Sequence, residues 1–146
     1  MKTITVTRTI PAPIEQVFAV LADHANYKQF PGVKDSKLLK TGTPAPNGVG
    51  AVRFIDAGKA RFTEEITAYE APKRLDYRIT RSFPPVRHEG GSIRLKSGAK
   101  GTEVTWTSAI ELGVPLVGGL FTPLLAAELG KAFGHMLAAV EKRLVG

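Results

Sequence analysis

The sequence predicts an α+β fold: a curved antiparallel sheet of about seven strands whose concave face is covered by one long C-terminal helix. The 146 residues are about the length of one domain. Residues 33–112 form short apolar-polar alternations separated by turns, with no helical stretch long enough for a parallel crossover. After Pro115 the apolar residues recur every three or four positions, which is typical of an amphipathic helix. We therefore predict one domain spanning residues 1–146.

The first part of the chain predicts one strand and two short helices. Apolar and polar residues alternate over Thr3–Ile10, as in a half-buried strand. A short helix is expected to begin near Pro13 and to end near Asp23, because its apolar residues share one helical face. A second helical turn is predicted over Asn26–Phe30, before the Pro31–Gly32 turn.

The middle and end of the chain predict a meander of strands and the covering helix. Turn sequences occur at 44–48, 56–59, 71–74, 83–85 and 97–101. Pro123 falls within or just inside the beginning of the helix, where Thr122 is a candidate N-cap. Residues 116–122 are then either a separate turn or a kinked first section of the helix. Its inward residues should be Leu125, Leu129, Phe133, Met136, Val140 and Leu144. One helix cannot fill the space beneath a broad twisted sheet, so we expect a cavity there.

Composition excludes several classes of protein. There is no cysteine, which excludes disulfides, thiolate metal sites and a cysteine nucleophile, and favours a cytoplasmic location. The apolar stretch Val114–Leu129 is interrupted and shorter than the roughly 20 residues of a membrane span, so no integral membrane association is expected. The net charge is +7, but no basic cluster is interleaved with aromatic residues, so no nucleic-acid partner is predicted. The sequence leaves a homodimer open.

Four segments together resemble a known superfamily. They are RTIPAPIEQVFAVLADHANYKQFPGV at 8–33, GVGAVRF at 48–54, EEITAYEAPKRLDYRI at 64–79 and GTEVTWTSAI at 101–110. In this order they resemble the START-like (SRPBCC) superfamily, specifically its polyketide cyclase/dehydrase branch. The resemblance implies a helix-grip fold. It does not choose among the carriers, cyclases and receptors of that superfamily, because fold alone does not determine function.

Strand alternation predicts which polar side chains enter the cavity. In the fourth strand Glu64 shares a face with Phe62, whereas Glu65 points outward; a register error of one residue would exchange the two glutamates. In the fifth strand Tyr77 and Arg81 share a face. We expect Arg81 to pair with Glu64 directly or through one water, since a buried carboxylate needs a partner. A bulge would break this parity.

Further apolar residues are expected to complete the walls. These are Phe30, Trp106, Phe121, Leu125 and Leu129, with Ser108 as a polar contact. Tyr77 alternatively packs in the core with a satisfied hydroxyl, and Glu64 alternatively lies at the rim.

The sequence offers little else for chemistry. His24 and His135 are expected to be solvated, and the direction of His88 is left open. No histidine spacing forms a metal site and no nucleophile elbow is present, so neither a metal nor a cofactor is predicted.

The leading hypothesis is binding of a small hydrophobic or amphipathic ligand, without assured catalysis. One alternative is a polyketide cyclase/aromatase or dehydrase that uses Glu64, Arg81 and Tyr77 as cavity acid, base or polarising groups. A second alternative is a regulatory protein-interaction module. Convergence of these three polar side chains in the cavity would favour catalysis, and an entirely apolar cavity would favour a ligand carrier.

Overall fold

The computed structural model describes residues 1–146 and has the predicted α+β class. Its strands are β1 Lys2–Ile10, β2 Asp35–Lys40, β3 Val52–Asp56, β4 Arg61–Glu70, β5 Arg74–Phe83, β6 Val86–Gly98 and β7 Gly101–Leu112. Its helices are α1 Ile14–Leu21, a short 3₁₀ helix His24–Gln29 and α2 Gly118–Val145. The seven strands form one antiparallel sheet in the order β1-β7-β6-β5-β4-β3-β2. The prediction of a meander covered by a terminal helix is confirmed.

The consecutive strands β1 and β2 lie at opposite edges of the sheet. The first strand pairs with the last one, from Lys2 opposite Ile110 to Ile10 opposite Thr102. The next strand in the chain, β2, lies at the other edge of the sheet. The connection through α1 and the 3₁₀ helix therefore crosses from one edge to the other, and α1 contacts α2, β6 and β7 on the way.

The hydrophobic core lies between the sheet and the helices. Period-two alternation buries one face of each central strand, so that Ile66, Leu75, Ile93, Val104 and Ile110 are almost completely inaccessible. From the second half of α2 the buried side chains are Phe133, Met136, Leu137 and Val140, whereas Lys131 and His135 are exposed. The predicted direction of the second half of this helix is confirmed.

The start of α2 decides between the two alternatives left open by the sequence. The helix begins at Gly118, so residues 118–122 belong to it and Thr122 is not its N-cap. The Thr122 hydroxyl donates to the Gly118 carbonyl over 2.6 Å and accepts from the Leu112 amide over 3.0 Å. Pro123 lies inside the helix but near its beginning, where its missing N–H removes a single hydrogen bond. Neither α-helix has the length and apolar character needed to cross a lipid bilayer.

A β-bulge reverses the expected direction of Arg81. Thr63 pairs with Arg81, but the next residue of β4, Glu64, pairs with Ile79, which leaves Thr80 as the extra residue on β5. Directly opposed residues of two strands point to the same side of a sheet. Arg81 therefore shares the convex face with Thr63 and is exposed, so its predicted inward direction is wrong.

A second bulge follows in the same strand pair. Ile66 lies opposite Tyr77, but Ala68 lies opposite Asp76. Thr67 is the extra residue on β4. Beyond it Tyr69 points inward, and the Tyr69 ring contacts Phe18 edge-on with centroids 5.4 Å apart. Strict alternation from Glu64 and Ile66 would place Ala68 inward as well, but the bulge places it on the convex face with Asp76.

Candidate functional site

A cavity of about 170 Å³ lies between the concave face of the sheet and α2. Most of its lining residues are apolar, and they include Ile55, Phe62, Ile79, Ile110, Leu129, Phe133 and Met136. Other lining residues are exposed and mark the mouth, namely Pro31, Gly32, Ala57, Ala132 and His135. The cavity is therefore an apolar pocket that opens beside the turn between β3 and β4.

The charged wall of the cavity is a buried ion pair between Arg53 and Glu64. The two residues are directly opposed on β3 and β4, and Nε of Arg53 donates to Oε1 of Glu64 over 2.8 Å. Their side chains are only 1% and 8% exposed, and both residues line the cavity. Burial disfavours the guanidinium charge, but the charge and hydrogen bond of Glu64 together with the neighbouring Tyr27 and Tyr77 outweigh it, and the pKa of Arg53 is raised. The carboxylate therefore has an arginine partner, as expected, but the partner is Arg53.

His24 and Tyr27 complete the surroundings of the guanidinium. Nη1 of Arg53 lies 3.0 Å from Nδ1 of His24 and 3.3 Å from the Tyr27 hydroxyl. Nε2 of His24 lies 3.1 Å from the Asn47 carbonyl, which can only accept. Nε2 therefore carries the proton and Nδ1 accepts from Arg53, which defines a neutral imidazole. Burial and the charge of Arg53 lower the pKa of His24 to about 3.

The guanidinium also lies between two aromatic rings. Its Cζ is 5.1 Å from the ring centroid of Tyr27 and 5.0 Å from that of Tyr77. Such contacts are attractive between a cation and an aromatic face, and more so when water is excluded. The Tyr27 hydroxyl donates to the Leu21 carbonyl, and burial raises the pKa of Tyr27. The guanidinium of Arg53 is thus fixed by three hydrogen-bonding partners and two aromatic rings. Nη2 of Arg53 and Oε2 of Glu64 take part in none of these hydrogen bonds.

A second polar cluster lies on β5, β6 and β7. Nε1 of Trp106 donates to the Tyr77 hydroxyl over 2.9 Å. The Ile79 amide donates to Nδ1 of His88 over 3.0 Å, so the ring proton is on Nε2, which donates to the Ser108 hydroxyl over 2.8 Å. Burial lowers the pKa of His88 to about 4. Burial, followed by the charge of Glu64, raises the pKa of Tyr77. Both groups are therefore neutral hydrogen-bonding groups near neutral pH.

Gly91 provides the space for Tyr77. The two residues are directly opposed on β5 and β6. A Cβ atom at position 91 would lie 2.1 Å from Cζ of the Tyr77 ring. Only glycine therefore allows this ring to lie across β6, where it stacks on His88 with centroids 5.6 Å apart.

Several predicted site residues do line the cavity. They are Phe62, Glu64, Tyr77, Trp106, Ser108 and Leu129. Glu64 is the inward glutamate of β4, and Glu65 belongs to the opposite face. Trp106 stacks on Phe133 with centroids 4.1 Å apart, which connects the sheet wall to the helix wall.

Other predicted site residues lie elsewhere. Phe30 caps the end of the 3₁₀ helix and is buried against Tyr27, with ring centroids 5.6 Å apart. Phe121 is 47% exposed, and Leu125 is half-buried against the core, because small residues of α2 face the sheet at this point. Arg81 is on the convex face. The predicted pairing of Glu64 with Arg81 is therefore wrong.

Sequence reasoning missed Arg53 and misjudged His24. Arg53 is two positions from Ile55, which points inward, so the two side chains share a face of β3. Applying to β3 the same alternation that was used for β4 would have identified Arg53 as an inward residue. His24 was expected to be solvated, but the 3₁₀ helix packs against β2 and β3 and leaves its imidazole completely buried. No local signal marks that burial, because it depends on contacts with residues distant in sequence.

The sequence comparisons identify the family. Residues 1–145 match the family described as polyketide cyclase/dehydrase and lipid transport. The chain belongs to this family. No match was found among curated proteins.

Solved structures have the same START-like fold at low sequence identity. TTHA0849 from Thermus thermophilus is 21% identical with a TM-score of 0.79, and the alignment covers 99% of this chain and 97% of that one. A START superfamily protein from Mycobacterium smegmatis is 15% identical with a TM-score of 0.76, covering 97% and 96% of the two chains. DynU16, a protein in the dynemicin biosynthetic locus, is 20% identical with a TM-score of 0.67, covering 99% of this chain and 47% of that one. At these identities the likeness shows the fold.

Proposed function

We propose that this member of the polyketide cyclase/dehydrase and lipid transport family binds a small hydrophobic or amphipathic ligand in the cavity beneath α2. The observation that carries the proposal is a mostly apolar cavity with one charged wall, the Arg53–Glu64 pair. Ligand pockets commonly combine apolar walls with a few polar groups that orient the ligand. The apolar part of the ligand would contact α2 and the sheet, and its polar group would face the ion pair or Ser108.

The cavity volume limits the size of the enclosed part of the ligand. An apolar cavity of about 150 Å³ holds a benzene molecule. The 170 Å³ of this cavity therefore accommodates about one ring or a short alkyl chain. A larger ligand would extend through the mouth beside Ala57 and Ala132.

Catalysis of the cyclase or dehydrase type is the second candidate, because Glu64 and Tyr77 both line the cavity. Two features make binding the better supported function. Oε1 of Glu64 already accepts from Arg53, and the Tyr77 hydroxyl already accepts from Trp106. The third predicted polar residue, Arg81, is absent from the cavity lining.

Two exposed alanines of α2 allow a matched test of the cavity. Ala132 lines the cavity at its mouth, and Ala127 is exposed on the same helix but does not line it. Binding of an anilinonaphthalene dye would be titrated by fluorescence for the wild type, Ala132→Phe and Ala127→Phe. We expect Ala132→Phe to weaken binding at least tenfold and Ala127→Phe to leave it unchanged. Equal binding by all three proteins would contradict the proposal.

Native mass spectrometry of protein purified from its source would identify a retained ligand. Carriage predicts that the ligand mass is unchanged after incubation with the protein. Dehydration predicts the loss of one water from the ligand mass, and cyclisation without dehydration predicts the same mass with a changed chromatographic retention. Either change, if it is lost in Glu64→Gln, would support the second candidate instead.

A further inference from the structure

In the first two turns of α2 the small side chains face the core and the large apolar ones face solvent. The buried residues here are the small ones Gly118, Thr122 and Ala126, at intervals of four. The large apolar side chains face solvent, and with the preceding Leu116 they form an apolar patch of Leu116, Val117, Leu120, Phe121 and Leu124. Scattered exposed leucines are ordinary on protein surfaces, but a contiguous apolar patch indicates an interaction site.

Close backbone packing holds the patch outward. A Cβ atom on Gly118 would lie 2.2 Å from the carbonyl oxygen of Leu112, so α2 approaches β7 as closely as only glycine permits. Rotating the helix to bury Leu120 would place a side chain in that contact. Leu116 has φ of 70°, a left-handed conformation that bulky residues rarely adopt, and its side chain is fully exposed.

Basic residues outnumber acidic ones at the end of the sheet where α2 begins. There is no charged residue between Glu111 and Glu128. The strand ends and the turn at this end of the sheet carry a basic border of four exposed side chains, Lys59, Arg61, Arg81 and Arg87. The acidic residues at the same end are Asp56, Glu89 and Glu111, and Glu111 lies 3.6 Å from Arg87 and 3.1 Å from the amino terminus. The four basic side chains and the amino terminus outnumber these three carboxylates, so the border is net positive, in agreement with the net charge of +7.

We propose that the apolar patch and its basic border dock on the surface of an anionic lipid bilayer. Apolar side chains of such a surface insert below the headgroups, while lysine and arginine attract anionic lipids. A symmetric dimer through the same patch would bring two basic borders together, which electrostatic repulsion disfavours. The charge around the patch therefore favours the bilayer over a second copy.

The patch and the cavity wall follow one another along α2, but no residue of the patch lines the cavity. Phe121, Leu125 and Leu129 lie one turn apart along α2, and only Leu129 lines the cavity. Docking would place this apolar path next to the membrane. Membrane docking depends on residues outside the cavity. An experiment can therefore contradict docking without contradicting ligand binding, and can contradict ligand binding without contradicting docking.

Vesicle co-sedimentation would test the proposal with phosphatidylcholine vesicles that contain or lack phosphatidylserine. We expect the wild type to bind the serine-containing vesicles at least tenfold more strongly. Leu120→Asp/Leu124→Asp should lose at least about a hundredfold of that binding, because burial of each of the two leucines is worth more than a factor of ten. Lys59→Gln/Arg81→Gln should lose roughly 25-fold, since each basic residue contributes about a factor of five.

The matched control is Leu39→Asp, which changes an exposed leucine of β2 outside the patch. It should bind vesicles like the wild type. Circular dichroism and dye binding of the patch variants should also be unchanged, which separates docking from folding and from the cavity. Equal vesicle binding by wild type and Leu120→Asp/Leu124→Asp would overturn the proposal. So would a wild-type dimer in light scattering that Leu120→Asp converts to monomers, since the partner would then be a second copy.

Discussion

Arg53 and Glu64 are directly opposed on β3 and β4, with Nε and Oε1 2.8 Å apart inside the protein. The pair occupies the one charged wall of an otherwise mostly apolar cavity. A charge removed from water is far less costly beside an opposite charge than it is alone. Removing one member of the pair should therefore lower the stability of the protein more than replacing both members with apolar residues.

Removing Arg53 alone should destabilise the protein more than replacing the pair. Arg53→Leu leaves the carboxylate of Glu64 buried without its partner, and we expect the free energy of unfolding to fall by about 3–5 kcal/mol. Arg53→Leu/Glu64→Leu should be less destabilised than Arg53→Leu. Urea denaturation of both variants and of Glu64→Leu would give the coupling energy. Arg81→Leu is the control and should change stability by no more than about 0.5 kcal/mol. Zero coupling would contradict the pairing.

Stability should fall in mild acid because His24 is buried in its neutral form. Its pKa is about 3 in the folded protein and 6.5 in the unfolded chain, so the unfolded state binds the proton first as the pH falls. The contribution of His24 is fully present above pH 6.5 and is lost progressively down to about pH 3. Between about pH 7.5 and about pH 5 the loss should be on the order of 2 kcal/mol.

Variants of two histidines would assign this pH dependence. His24→Gln should remove the share of the loss that belongs to His24, measured by denaturation at both pH values, because glutamine does not titrate. The loss that remains should come largely from His88, whose pKa burial lowers to about 4. His135→Gln changes an exposed imidazole and should retain the wild-type dependence. The same slope in wild type and His24→Gln would show that other groups cause it.

Phe133 should be a major contributor to the packing of α2. Its ring stacks on Trp106 with an interplanar angle of 7°, and one side of it faces the cavity. Phe133→Ala should cost about 3 kcal/mol, at the low end for a buried phenylalanine, because part of its surroundings is already empty. Trp106 is the only tryptophan, so its emission should shift as well. Phe83→Ala, at an exposed phenylalanine, should change neither quantity. A stability change near zero for Phe133→Ala would contradict the packing.

Gly91→Ala should destabilise the protein through a steric clash with Tyr77. The added methyl group would overlap the ring, and overpacking of this kind costs about 1–3 kcal/mol. Gly98→Ala lies on the same strand with no atom within 4 Å of its Cβ, so it is the matched control and should be nearly neutral. Thermal unfolding of both variants is a sufficient measurement. Equal melting temperatures would show that Tyr77 moves without cost.

Much of the architecture could be predicted because it depends on local periodicity. Alternation over Thr3–Ile10 and the helical spacing from Leu129 to Val140 each define one apolar face, and the absence of a helical segment between the strands requires antiparallel connections. The inward directions of Glu64, Tyr77 and Trp106 follow from the same alternation within unbroken stretches of strand. Each of these inferences depends on residues near one another in the chain.

The composition of the site was decided by the tertiary structure. One extra residue at Thr80 reverses the direction of Arg81, and alternation carries no information across such a bulge. The burial of His24 beside Arg53 joins residues 29 positions apart, and no local pattern records that contact. The rotation of α2 is set by its backbone contact with β7 at Gly118, so it exposes Leu120 and Leu124 although their spacing would suit a core. Local sequence therefore determined which faces are apolar, and the packing of distant segments decided which of those faces became cavity, core or open surface.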